Sequence, residues 1–112
     1  MDVKIKNLGE FKVLRSEYEI FMGLRFKKKL NKKKGIIIEL SEESKNKLIA
    51  DMLFVFFKLD MAFLDSSKKI IDIRRNVKPF ISFIIPKEKA KYLIEMNAGE
   101  MKNLEIGDKF EF

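Results

Sequence analysis

Four carboxylates, Asp60, Asp72, Glu95 and Asp108, stand in the second half of a 112-residue chain that contains neither histidine nor cysteine. Two acids brought together divide general acid and base work, or hold magnesium or calcium. Imidazole or thiolate triads and thiolate zinc sites are excluded by composition. Asp60 follows a very apolar stretch, where a carboxylate must find donors or change its pKa. Structural use, with Asp60 accepting backbone N–H groups and Gly107-Asp108 forming a turn, outweighs catalysis. Arg74 and Arg75, with Lys78 nearby, leave an apolar segment and offer forked contacts to an anion. Asp60, Arg74, Arg75 and Glu95 are therefore the candidate ligand-binding residues. No catalytic residue, metal or cofactor is assigned.

The net charge of +7 has one origin. Segment 25–34 carries seven basic residues and no acid, and outside it 17 basic residues face 17 acidic ones. Arg25, Lys27, Lys28, Lys29, Lys32, Lys33 and Lys34 are the candidate polyanion-binding residues, since neutralising phosphates releases counterions. The plainer explanation is a solvated loop that keeps the domain soluble. Phe26 and Leu30 within it are available for base stacking or for folding back onto the core.

Eleven phenylalanines are a heavy load for this length. Phe54, Phe56, Phe57, Phe63, Phe80 and Phe83 crowd the middle of the chain, and most are expected in the core. A strand that is apolar on both faces must be covered on both, so the excess is assigned to a dimer interface or a ligand pocket. Dimerisation is the preferred use.

The elements that must position these groups are short. Period-two alternation predicts strands over 3–8 and 11–14, and Ser16-Glu17-Tyr18-Glu19 is a capping box opening a helix over about 17–24. A loop follows over 25–34, then a strand over 36–40, with 41–47 read as a connection or one helical turn. The run 52–57 has no period but is rich in aromatic and β-branched residues, so it reads as a strand continuing into 59–64. Residues 65–68 turn into a strand over 70–73. A strand between Pro79 and Pro86, another over 92–96, a helical turn over 100–104 and a last strand over 110–112 complete the reading. The fold class is α+β: a β-rich single domain over residues 1–112, with a curved, mostly antiparallel sheet or barrel and two short helices. No apolar run approaches the roughly 20 residues that cross a bilayer, and the N-terminus lacks a secretory apolar stretch. A cytoplasmic protein without membrane contact is expected.

The second half carries a resemblance. Leu59-Asp60-Met61-Ala62-Phe63-Leu64-Asp65, Lys69-Ile70-Ile71-Asp72-Ile73, Pro79, Tyr92-Leu93-Ile94-Glu95-Met96-Asn97-Ala98-Gly99 and Gly107-Asp108 follow in the order and spacing of domain-of-unknown-function family number 192, the uncharacterised ACR proteins. Met22-Gly23-Leu24-Arg25 resembles that family's Gly-Leu-Met-x-Arg stretch, and Gly35 to Leu40 its following strand, so the likeness covers roughly residues 11–112. The resemblance implies a small β-rich domain with no established activity. Where the family has Trp-Met-Lys-Asn-Thr and a proline, this chain has Asp51-Met52-Leu53-Phe54-Val55 and Lys58, which alters any binding site built on that polar group. The sequence thus points to an uncharacterised, non-enzymatic binding or interaction domain working through the surface near Met52 to Phe63, with a second copy, another protein or a small ligand as partner. Binding of nucleic acid or another polyanion by 25–34 is the second reading, and a carboxylate enzyme the third.

Overall fold

A computed structural model describes residues 2–48, 50–80 and 84–112. Strands β1 (Asp2–Ile5) and β2 (Gly9–Leu14), where two strands were expected, pair as an antiparallel hairpin, and helix α1 (Glu17–Met22) follows. The predicted capping box is present: the Ser16 side chain accepts the Glu19 N–H at 3.1 Å, and Glu19 Oε1 accepts the Ser16 N–H at 3.3 Å. The backbone N–H of Ser16, then that of Arg15, hold the Glu19 carboxyl below its usual pKa. Ser16→Ala should cost about 1 kcal/mol, read as an earlier urea midpoint with an unchanged slope.

The remaining strands are β3 (Lys34–Ser44), β4 (Leu59–Leu64), β5 (Ile70–Val77) and β6 (Ala90–Asn97). They build one six-stranded sheet in the order β1-β2-β3-β6-β4-β5. β2 and β3 run parallel across the α1 connection, and the other four pairings are antiparallel. With β1 and β5 at its edges the sheet is open, which corrects the barrel alternative.

Each face of the sheet buries its own cluster. Leu14, Ile36, Ile38, Met61, Phe63 and Leu93 pack on one face, under Leu24, Leu48, Met52 and Val55. Phe11, Ile37, Ala62, Leu64, Ile94 and Met96 pack on the other, with Met101. β4 runs between the two, and all six of its residues are buried, as expected of a strand covered on both faces. Gly35 permits close packing beside β6: a Cβ there would lie 2.2 Å from the Glu95 carbonyl oxygen and 2.9 Å from the Phe11 ring.

Several expected elements differ. Residues 52–57 are not a strand: Val55 N–H closes a turn on the Met52 carbonyl, and Phe54 takes a φ of 59°. Its buried residues are Met52 and Val55, while Leu53, Phe54 and Phe56 face out. Residues 41–44 extend β3 instead of leaving it, because Ser44 pairs with Ala90 beyond an irregularity after Glu39. Residues 100–104 are a hydrogen-bonded turn, leaving one helix among the described residues where two were expected. Residues 110–112 form no strand, and Phe112 instead caps Tyr92 edge-on at 5.4 Å. The strand expected after Pro79 falls largely on 81–83, outside the described residues, with Ile84 bridging Ala50.

Candidate ligand pocket and aromatic surface

Glu95 lies in the middle of β6, flanked across the sheet by Ile36 on β3 and Met61 on β4. Alternation along β6 sends Ile94 and Met96 to one face and Leu93 and Glu95 to the other. A carboxyl is thereby placed on an apolar sheet face. Only 6% of Glu95 is exposed, and among the described residues no donor hydrogen-bonds its carboxyl. Burial pushes its pKa up to about 7, with Arg25 opposing the rise and Asp51 adding to it.

The space over Glu95 is a cavity of about 200 Å3, walled by Leu24 and Arg25 after α1, by Leu48, Ala50 and Asp51 before β4, and by Leu93. Arg25 donates from Nη2 to Asp51 Oδ1 at 2.5 Å, and its Nη1 donates to the Phe21 carbonyl. Its guanidinium also lies 4.7 Å from the Phe21 ring centroid. Asp51 Oδ1 accepts the Leu53 N–H at 3.0 Å as well, which starts the turn that follows. The wall therefore holds a matched ion pair, and Glu95 and Lys47 are the charged side chains of the lining outside it. Residues that carry the family resemblance, Gly23, Leu24, Arg25 and Glu95, meet at this cavity.

The other candidate ligand residues go elsewhere. Asp60 pairs across the sheet with Met96, so it faces away from Glu95. There it accepts three backbone N–H groups, from Asn76 at 3.0 Å, Gly99 at 2.9 Å and Met101 at 3.0 Å. Arg75 donates to the carbonyls of Met101 at 3.2 Å and Leu104 at 2.5 Å. Asp60 and Arg75 thus clamp one turn, the first by its N–H groups and the second by its carbonyls. Arg74 shares the Glu95 face but has Met61 between them. It forks onto Asp72 at 2.8 and 3.2 Å and donates to the Ile85 carbonyl, while Asp72 accepts the Lys87 N–H. Asp108 accepts the Glu105 N–H in a surface turn.

Arg25 turns inward from the basic segment, whereas Lys27, Lys28, Lys29, Lys32, Lys33 and Lys34 are exposed. Lys34 opens β3 and pairs with Glu10 at 3.3 Å, and the Lys33 N–H is taken by Glu100. Beside this segment the excess aromatic residues collect at the surface. Phe26, Phe54, Phe56 and Phe80 are 58%, 43%, 51% and 51% exposed. Phe26 stacks on Phe54 at 5.1 Å, and Phe80 meets Phe54 and Phe56 edge-on at 6.3 and 5.8 Å. Three of the four take left-handed backbone, with φ of 64° at Phe26, 59° at Phe54 and 65° at Phe80. Two hydrogen bonds of 2.9 Å fix them, Phe26 N–H to the Phe54 carbonyl and Phe80 N–H to the Met52 carbonyl. Sequence composition flagged this aromatic excess, but no local signal marked Asp51 as the partner of Arg25. Its position before an apolar run, where an Asx turn can start, is the one hint.

Among the described residues no group of three acidic, histidine or cysteine side chains is placed to hold a metal ion, and no helix is long and apolar enough to cross a membrane. The chain is similar to several known proteins. A UPF0127 protein of Thermococcus sibiricus is 31% identical over 93% of this chain and 66% of its own length. A UPF0127 protein of Pyrococcus horikoshii is 30% identical over 96% and 93%. Among solved structures, a candidate transcription regulator from Sinorhizobium meliloti superposes with a TM-score of 0.86 at 24% identity, covering 92% of this chain and 81% of that one. A protein of unknown function from Novosphingobium aromaticivorans gives 0.83 at 20% identity, covering 93% and 75%. At these identities the two structures show the fold alone. The profile of the uncharacterised ACR family matches residues 3–112, reaching further toward the N-terminus than the motifs read from sequence, and the chain belongs to that family.

Proposed function

We propose that the protein is a non-enzymatic binding domain that holds its partner on the Phe26, Phe54, Phe56 and Phe80 surface. The observation that carries this is the left-handed backbone at three of the four rings. Each such residue costs on the order of 1 kcal/mol relative to right-handed or extended backbone. Strain of this kind, spent to hold apolar rings in water, is understandable where the rings have something to touch.

The partner chemistry that fits is a single-stranded polynucleotide. Exposed Lys27, Lys28, Lys58 and Lys78 lie within two residues of the rings along the chain. The nearest acid in sequence, Asp51, is occupied by Arg25. Bases stack on aromatic faces while phosphates take the lysines. A second copy is a poorer fit, since a two-fold contact would bring like-charged lysines together. A cytoplasmic setting, expected from the sequence, suits such a partner.

Fluorescence anisotropy with a labelled oligothymidylate tests the proposal. Binding at low salt that weakens steadily as salt rises is expected, and Phe54→Ala with Phe56→Ala should weaken it by about tenfold or more. Absence of binding at low salt ends the polynucleotide reading. Association of the protein with itself, lost in the same double variant, would return the surface to a dimer interface.

A further inference from the structure

Separate from the aromatic surface, we infer that the cavity over Glu95 is a binding site for a compact cationic group, a primary ammonium or amidinium carried by a small ligand. Three observations converge. The cavity is small, about 200 Å3, below the 300–1,000 Å3 typical of sites for drug-sized molecules. Its walls supply a closed ion pair, Arg25 with Asp51, so neither of these charges is left seeking a counterion. Its lining includes Glu95, a residue only 6% exposed that accepts no hydrogen bond from the described residues; no fully enclosed side-chain oxygen among them lacks a partner, so its carboxyl keeps contact with the solvent of the cavity.

A carboxylate facing so little water is poorly solvated, and a ligand that brings an N–H cation replaces that water with a charge-assisted hydrogen bond. An anionic ligand would meet Glu95 head-on, and a neutral one would leave its charge uncompensated. The charged groups facing Glu95 from the packed elements are Arg25 after α1 and Asp51 and Lys47 before β4, all three lining the cavity. Its neighbours in the sheet, Ile36 and Met61, contribute no charge. Lys47, exposed at the mouth, is the one cation of the chain itself that lines the cavity without an ion-pair partner among the described residues.

Ethylammonium is the probe, followed by NMR shifts of the Leu93 to Met96 and Gly23 to Arg25 amides, with ethanol and acetate as neutral and anionic controls. Ethylammonium alone is expected to shift these amides in a saturable way. It stays protonated across the range, so its affinity follows the ionised fraction of Glu95 and should be about tenfold tighter at pH 8 than at pH 6, given a midpoint of about 7. Glu95→Gln should abolish both the binding and its pH dependence while leaving the fold intact. Equal shifts with ethanol, binding of acetate, or retained ethylammonium binding in Glu95→Gln would overturn the inference. Binding seen only after Lys47→Ala would overturn it too, by making Lys47 the resident occupant. None of these outcomes bears on oligothymidylate binding at the aromatic surface.

Discussion

Asp60→Ala should destabilise the protein by on the order of 4 kcal/mol or more, the largest loss expected from removing one side chain outside the apolar core. Three backbone N–H groups, of Asn76, Gly99 and Met101, lose their acceptor together. A buried donor left without a partner costs about 1–3 kcal/mol, and a bond to a charged acceptor contributes more than a neutral one. The Met101 N–H is buried, whereas water can reach the other two more readily. The effect is structural rather than local to a site, because Met101 is fully buried in the second cluster and its carbonyl is gripped by Arg75. Asp60→Asn should recover part of the loss, since one oxygen remains while the new NH2 group faces N–H donors. Urea unfolding measures both variants. A loss below about 1 kcal/mol for Asp60→Ala would mean that water replaces the carboxylate without cost.

Glu95→Gln should do the reverse and stabilise the protein at alkaline pH. The Glu95 carboxyl titrates near 7 in the fold, against 4.5 for the ordinary side chain, because burial disfavours its charge. The folded state therefore binds a proton more tightly than the unfolded state. Its contribution is fully present below pH 4.5 and is lost as pH rises through about 7. At pH 8 the ionised carboxyl penalises folding by on the order of 3 kcal/mol, and the amide removes that penalty. Wild-type protein should lose stability between pH 5 and pH 8 relative to Glu95→Gln, with the two curves approaching each other at the acid end. A variant that is less stable than wild type at pH 8 would show that Glu95 has a donor in solution.

Much of the scaffold was legible where local chemistry decides it. The Ser16 to Glu19 capping box, the Asp65 to Lys68 turn and the alternation of Tyr92 to Met96 each specify their conformation through near neighbours, and each is found. β4 was legible as Leu59 to Leu64 because six apolar or short residues in a row need cover on both sides, which two sheet faces provide. The run 52–57 misled because aromatic and β-branched content describes side chains that fit a sheet, whereas a strand also needs an open edge beside it. That edge is occupied here: β4, next along the chain, already has β5 and β6 on its two sides.

The candidate site was only half legible, for a related reason. Glu95 was recognised as an acid in an alternating strand, but its isolation depends on Ile36 and Met61, which sit 59 and 34 residues away in sequence. Arg25 was grouped with the lysines because it adjoins them, yet Asp51, 26 residues on, draws it inward. Asp60 and Arg75, read as ligand candidates, serve the same turn from opposite ends. The sheet order β1-β2-β3-β6-β4-β5 brings the last strand to the centre, and no local pattern encodes that crossing.

The central claim, that contact with a partner belongs to the Phe26, Phe54, Phe56 and Phe80 surface, is tested most directly by mapping backbone amide shifts during an oligothymidylate titration at low salt. The account predicts shifts concentrated at Phe26 to Lys29, Leu53 to Phe56 and Phe80, fading as salt is added, with the Gly99 to Leu104 turn unmoved. Shifts centred on that turn and Arg75, or none anywhere, would contradict it.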